Sequence, residues 1–291
     1  MTYFQFICAV KDLVKEELKD NTLISIYTAE KNNGVTKNGI TISEKGINIA
    51  PTIYLEDYYE KYNRGADLEV IVEDILCLYQ EIRFQESWEE RDILDYHFVK
   101  DRIVYRLVNW EKNKRLLKKI PHENYLDLAI VFYVLLDITN HGTAMMLVHD
   151  EYLEEWGVTK EELYLKAKEN TEKLLPYEFE TMGAVMEKYM EEPVYWDEDI
   201  LYVLSNKIHN FGAAAILYER RLERIGELLE DNFYVLPSSV HEVIIIAEKD
   251  LMYEKEGLIR MVTEINHTQV DDEEVLSDNV YYYDRTLGKL V

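Results

Sequence analysis

Apolar positions in this chain follow two different periods. Over residues 4–19, Phe4, Ile7, Val10, Val14 and Leu18 recur at helical spacing with Lys15, Glu16, Glu17 and Lys19 outside, which predicts an amphipathic helix. Residues 67–83 repeat the pattern more cleanly, with Leu68, Ile71, Ile75, Leu78 and Ile82 on one stripe. A shorter helix is predicted over residues 54–62, ended by Asn63-Arg64-Gly65. Residues 22–27, 39–42, 102–108 and 143–148 read as strands, and the apolar run 126–136 as a central strand. Asn32-Asn33-Gly34, Asn38-Gly39 and Asn140-His141-Gly142 supply turn chemistry between them, and Ile47-Asn48-Ile49 offers a further short strand. Residues 85–95 form a charged patch, and residues 111–119 read as a basic helix closed before Pro121.

Beyond Gly157, which stops a helix at Trp156, Thr159-Lys-Glu-Glu162 is a capping box: the Thr hydroxyl and the Glu carboxylate can each satisfy a main-chain N–H of the other. The helix it opens should run toward Leu175 and Pro176, and residues 178–190 should form another, with Met182, Val185, Met186 and Tyr189 inward. Residues 201–249 organise the remainder. They read as strand, turn, strand, helix, strand, a Pro-Ser-Ser turn, and the core strand Val243-Ile244-Ile245-Ile246-Ala247. An internal echo relates Tyr133-Val134-Leu135 and Gly142–Leu147 to Tyr202-Val203-Leu204 and Gly212–Leu217, each pair followed by a helix. This strand–strand–helix unit predicts an α+β fold with an antiparallel or mixed sheet and helices packed on it. A division into residues 1–120 and 121–291, or one continuous domain, fits the pattern. A helix over residues 251–265 and a tyrosine-rich tail complete the chain.

Composition changes the picture at one point, charge. The 57 Asp and Glu against 32 Lys and Arg leave a formal charge of −25 over 291 residues. Such a surface repels phosphates and anionic headgroups, so direct nucleic-acid or membrane binding is not expected, and a protein partner with a basic surface is. An acidic nucleic-acid mimic is the alternative of the same origin. The first residues carry no cationic region ahead of their apolar ones, and no segment is long and apolar enough to span a bilayer, so the cytoplasm is the expected location. Cys8 and Cys77 form neither a disulfide framework nor a Cys-x-x-Cys pair.

Candidate chemistry concentrates in Leu236-Pro-Ser-Ser-Val-His-Glu242, the one compact cluster of hydroxyl, imidazole and carboxylate. The catalytic version is a hydrolase using Ser238 or Ser239 with His241. It requires a Ser oxygen within reach of an imidazole nitrogen. A strand beginning at His241 would turn Glu242 to the opposite face, and no Gly-x-Ser-x-Gly elbow exists. The plainer version is a Pro-initiated turn whose hydroxyls satisfy main-chain groups. No catalytic residue is assigned on this basis; Asn206, Ser238, Ser239, His241 and Glu242 are the binding candidates. No cofactor or metal is expected, since zinc, EF-hand, Walker and dinucleotide spacings are all missing. Asp197, Glu198 and Asp199 read as a solvated approach rather than paired acid/base groups.

Five phrases, in order, resemble a large bacterial domain-of-unknown-function family found mostly in anaerobic Gram-positive bacteria: PTIYLEDYYEKYNRG, RIVYRLVNWEKN, YVLSNKIHNFGAAAILY, YVLPSSVHEVIII and MVTEIN. The resemblance covers nearly the whole chain. It implies a non-secreted intracellular protein and brings no activity, substrate or catalytic residue with it.

Overall fold

The computed structural model describes residues 1–18, 22–47, 49–84, 93–139, 142–189, 200–251 and 254–291. The chain is α+β, and its described residues form three antiparallel sheets. Helix α1 (Tyr3–Glu17) opens on a capping box between Thr2 and Gln5 and turns Phe6, Ile7, Val10 and Val14 inward. Phe4, expected on that stripe, is exposed. Strands β1 (Thr22–Glu30), β2 (Thr36–Glu44) and β3 (Thr52–Tyr54) form the first sheet. Helices α2 (Glu56–Asn63) and α3 (Leu68–Ile82) follow. With α1 they enclose a core of its own, in which Ile71 and Ile75 are fully buried. Burial of side chains this size contributes roughly 1.5–3 kcal/mol each.

Two local expectations shift here. A strand lies after Pro51, so Tyr54 belongs to β3 rather than to α2. Of the strand expected at residues 47–49, Asn48 lies outside the described residues, and Ile47 and Ile49 belong to no strand. Asn33 and Gly34 do take positive φ at the β1–β2 turn, at 58° and 72°. Asn38-Gly39 is no turn; it lies inside β2, where a Cβ on Gly39 would stand 2.3 Å from the Thr52 methyl and 3.0 Å from the Ile53 carbonyl oxygen of β3. Cys8 and Cys77 are exposed, free thiols.

The second sheet contains β4 (Ile103–Asn109), β5 (His122–Tyr125), β6 (Leu128–Thr139) and β7 (Gly142–Leu147). β4 and β5 flank β6, and β7 returns along its far half. The pairing of β4 with β6 carries one sheet across position 120. All seven residues of β4 are buried, because both faces of this sheet are covered. One face, with Ile103, Tyr105, Leu107, Ile130 and Phe132, joins the main core. The other carries two smaller clusters, around Val108 and Val131 and around Val104 and Leu135, and Arg106 lies between them in sequence.

Helices α4 (Asp150–Trp156) and α5 (Lys160–Leu174) end and begin as the sequence predicts, on Gly157 at φ 63° and on the Thr159–Glu162 capping box. The basic helix expected over residues 111–119 is a single turn, Lys114–Leu117. The helix expected over residues 178–190 is half strand: β8 (Tyr177–Thr181) precedes α6 (Met182–Tyr189), with Met182, Val185 and Met186 half-buried. Residues 85–92 of the charged patch, and Asp197, Glu198 and Asp199, lie outside the described residues.

The third sheet has the order β13-β12-β10-β11-β9-β8 and includes β9 (Leu201–Asn206), β10 (Phe233–Leu236), β11 (Val243–Ala247), β12 (Tyr281–Asp284) and β13 (Lys289–Leu290). The core strand expected at residues 243–247 is β11, between β10 and β9. Its Val243, Ile245 and Ala247 face the main core, while Ile244 and Ile246 pack toward Leu258 and Val262 of the C-terminal helix Lys255–Thr268. The tyrosine tail is therefore part of the sheet, as β12. The internal echo fails in its second copy: Gly212–Leu217 is a buried 3-10 helix, not a strand, and leads to helix Arg221–Leu229. A Cβ on Gly212 would sit 2.4 Å from the Asn206 main-chain nitrogen and 2.7 Å from the His241 carbonyl oxygen, so the backbone there passes where a strand side chain could not.

A polar seam ties the first core to the rest. The Asn32 and Asn33 amides donate to the main-chain oxygens of Glu273, Asp272 and Val275 at 2.6–2.8 Å, and Lys37 pairs with Glu273. Buried Asn113 donates to Asn109 O, Asn32 Oδ1 and Asn33 Oδ1 at 2.8–2.9 Å and accepts from the Asn33 N–H. Asp127 accepts from Ser277, Asn279 and Tyr281.

Candidate functional site

The turn after β10 does not initiate β11 directly. Residues 237–240 run beside residues 274–277, with Leu276 N–H donating to Ser238 O, Ser277 N–H to Pro237 O and Val240 N–H to Glu274 O at 2.8–3.0 Å. Ser239 is buried, and its hydroxyl accepts the His241 main-chain N–H at 3.0 Å. Among the described residues the Ser238 hydroxyl meets no hydrogen-bond partner. The His241 imidazole is already engaged at both nitrogens: Nε2 lies 3.2 Å from Glu274 Oε1, and Nδ1 accepts the Phe211 main-chain N–H at 3.3 Å. Among the described residues no serine oxygen hydrogen-bonds to the ring, so Ser238 and Ser239 do not make the nucleophile–base contact with His241 that the hydrolase version requires. The carboxylate orienting His241 is Glu274, brought from the far end of the sequence, rather than its neighbour Glu242.

Three titratable groups shift together. Burial works against a charged His241, but Glu274 outweighs it and raises the imidazole pKa, with Glu242 helping and Arg106 opposing. The hydrogen bond and charge of His241 pull Glu274 down, against burial. Burial pushes Glu242 up, countered by the two imidazoles His241 and His209 and by Ser239.

Asn206 is 1% exposed and looks into its own turn. Its oxygen accepts the N–H groups of Ile208 and Asn210, and its amide donates to Asn210 O. That turn carries two non-glycine residues in the left-handed region, His209 (φ 48°) and Phe211 (φ 53°). Each costs of order 1 kcal/mol or more, and such residues persist where the surroundings over-determine them. His209 Nε2 lies 2.8 Å from Glu178 Oε2 on β8.

Arg106, which sequence reading passed over, links this turn to the second sheet. It is 7% exposed. Its guanidinium carbon stands 3.4 Å from the centre of the Phe211 ring and 4.4 Å from that of Tyr133. One terminal nitrogen donates to Thr143 Oγ1 at 3.2 Å and touches the Met145 sulfur; Nε finds no acceptor. Among the described residues no carboxylate pairs with it. Burial lowers its pKa to about 10, tempered by Tyr133. Thr143 in turn donates to Asn210 Oδ1 at 2.9 Å. The signal was a single charged residue inside the apolar run Ile103-Val-Tyr-Arg-Leu-Val108, but that signal is informative only once both faces of the strand are known to be covered.

A second candidate is the outer edge of β1. The Leu55 N–H bonds to Asn38 O, so even-numbered residues of β2 face β3 and odd-numbered ones face β1. By the β1–β2 register, the main-chain groups of Ile24, Ile26 and Thr28 therefore point away from the sheet, where no strand pairs with them among the described residues. Leu23 and Tyr27 are 69% and 56% exposed on the same strand.

Two open depressions, of about 300 and 320 Å³, lie elsewhere, one beside His122, Asp150 and Lys160 and one beside Tyr96, Glu162 and Lys166. Among the described residues no group of three or more His, Cys, Asp or Glu could hold a metal ion, and no helix is long and apolar enough to cross a membrane. Comparison with protein families matches residues 3–285 to a family of unknown function. No curated protein and no solved structure matches the chain.

Proposed function

The chain belongs to DUF5688, a family of unknown function, and from its geometry we propose that it acts by binding another protein along the open edge of β1 rather than by converting a substrate. The observation that carries this reading is the strand itself. Thr22–Glu30 is nine residues long, pairs with β2 without a register break, and contains no proline and no charge before its last residue. Exposed edges of that length are normally blunted by lysine, proline or a bulge, because their free N–H and C=O groups template pairing with another chain. An extended segment can add there as a further strand, with Leu23 and Tyr27 offering apolar contact to its side chains. The charge of −25 favours a lysine- or arginine-rich segment and disfavours a second copy of this chain.

The turn at residues 237–242 supports the non-catalytic side of the reading, since His241 is held by Glu274 and by the Phe211 amide. The nucleic-acid mimic is less well supported. It needs unbroken rows of carboxylates, whereas Glu44, Glu60, Asp74 and Glu223 each sit beside an arginine or lysine.

Hydrogen exchange at the Ile24, Ile26 and Thr28 amides tests the proposal. In the free protein they should exchange fast, and in complex with a captured basic partner they should slow at least about tenfold, as strand amides do. Thr28→Pro removes one outward donor without breaking the β1–β2 ladder, so it should abolish capture and leave the melting temperature nearly unchanged. A partner that binds while all three amides stay fast would overturn the reading.

A further inference from the structure

We propose that Arg106 anchors a binding site for a planar, carboxylate-type anion at the junction of β4, β7 and the 206–212 turn. Buried charges in proteins are paired, because an isolated one loses its hydration without replacement. Among the described residues Arg106 departs from that rule: its neighbours are two aromatic rings, a hydroxyl and a thioether, and its buried Nε has no acceptor. A second deeply buried arginine, Arg221, also lies over a ring, that of Tyr177, and also leaves its Nε without an acceptor. Its charge, however, is paired with Glu172 at 3.3 Å, and it is this carboxylate that Arg106 lacks among the described residues.

The chemistry of the site selects its ligand. Guanidinium presents its Nε and a terminal nitrogen as a flat, parallel pair of donors that matches the two oxygens of a carboxylate. With rings lying against the guanidinium, a ligand can meet it only in its own plane, which suits a flat group better than a tetrahedral one. A further donor stands close by. The Asn210 side-chain nitrogen donates to no described group, while its oxygen is fixed by Thr143, itself bonded to Arg106. Gly142, at φ 121°, brings the β7 start to this nitrogen; a Cβ there would lie in van der Waals contact with it, at 3.9 Å. The left-handed Phe211 places its ring against Arg106 and its N–H on His241, so the strained turn and the unpaired charge belong to one construction. Across the rest of a molecule this acidic, an anion is repelled. Retention must therefore come from short-range contacts, which favours a singly charged ligand over a doubly charged one.

Thermal unfolding of the full chain in acetate, inorganic phosphate and chloride, at matched ionic strength, reads this out. Acetate should raise the melting temperature saturably, and phosphate and chloride should not. In Arg106→Lys, which keeps the charge but loses the paired donors, the apparent affinity should fall at least about tenfold. Arg106→Met, which keeps the stem, should not respond to acetate at all. An acetate response equal to that of chloride in the wild-type protein would overturn the proposal, and needs no variant to fold. An Arg106→Met protein that responds like wild type would overturn it too, and stronger protection by phosphate would overturn the planar-anion assignment.

Discussion

Two buried polar regions of this molecule resemble each other in composition and differ in how they are completed. In the seam of Asn32, Asn33, Asn109, Asn113 and the segment 272–277, side-chain amides meet main-chain oxygens of Asn109 and of residues 272–276, so three separate parts of the chain are joined. Around Arg106 a full charge is buried and its most natural partner, a carboxylate, is missing among the described residues. Hydrogen-bonded closure fixes one arrangement of the elements, whereas an unclosed donor set costs stability and leaves a place for a ligand. The seam is thus read as architecture and the Arg106 junction as a site.

The sharpest way to break the comparison is to open the seam. Asn113→Ala strands an Asn33 N–H and several acceptors at once, and should lower stability by about 2–4 kcal/mol in urea unfolding. A loss below 1 kcal/mol would mean that water replaces those bonds and that the seam is no more closed than the site. The opposite sign is expected at Arg106. Without added anion, Arg106→Met should be neutral or stabilising, by up to about 3 kcal/mol in the same assay, because it removes an unpaired buried charge while keeping much of the apolar stem. Destabilisation by that amount would show that the stacked guanidinium is itself structural.

A smaller effect sharpens the contrast through pH. The folded pKa of His241 is raised, so its pairing with Glu274 stabilises fully below the unfolded imidazole value near 6.5 and is lost as pH rises through the folded value. Glu274 is lowered, so its share is present above the unfolded carboxylate value near 4.5 and is lost as pH falls through the folded one. His241→Gln should therefore differ most from wild type between about pH 5 and 6, and the gap should narrow toward pH 8. Glu274 is partly exposed, so the gap should stay under about 1 kcal/mol, measured by denaturation across that range.

Much of the architecture was legible in residue order because local signals and tertiary packing agreed. The helix over Leu68–Ile82, the Thr159–Glu162 capping box and the strand at residues 243–247 each carry their own periodicity or cap. Gly212-Ala-Ala-Ala was misread as a strand because small side chains carry almost no periodicity; its 3-10 geometry is set by contact with Ser205, Asn206 and His241. Tyr177-Glu-Phe-Glu-Thr181 alternates as a strand should, but sits beside a helical stretch that masked it. Among the site candidates, Ser239, His241 and Glu242 do lie together, whereas Asn206 serves its own turn. The partners that give them meaning, Glu274 and Arg106, are distant in sequence, and no local pattern announces them.

The most direct test is the nitrogen-15 NMR signal of the Arg106 Nε–H, followed alongside the Asn113 side-chain amide. The account predicts a slowly exchanging Arg106 signal, absent from Arg106→Lys, that shifts when acetate is added while the Asn113 amide stays still. An Arg106 signal that exchanges as fast as those of surface arginines, or one unmoved at saturating acetate, would contradict it.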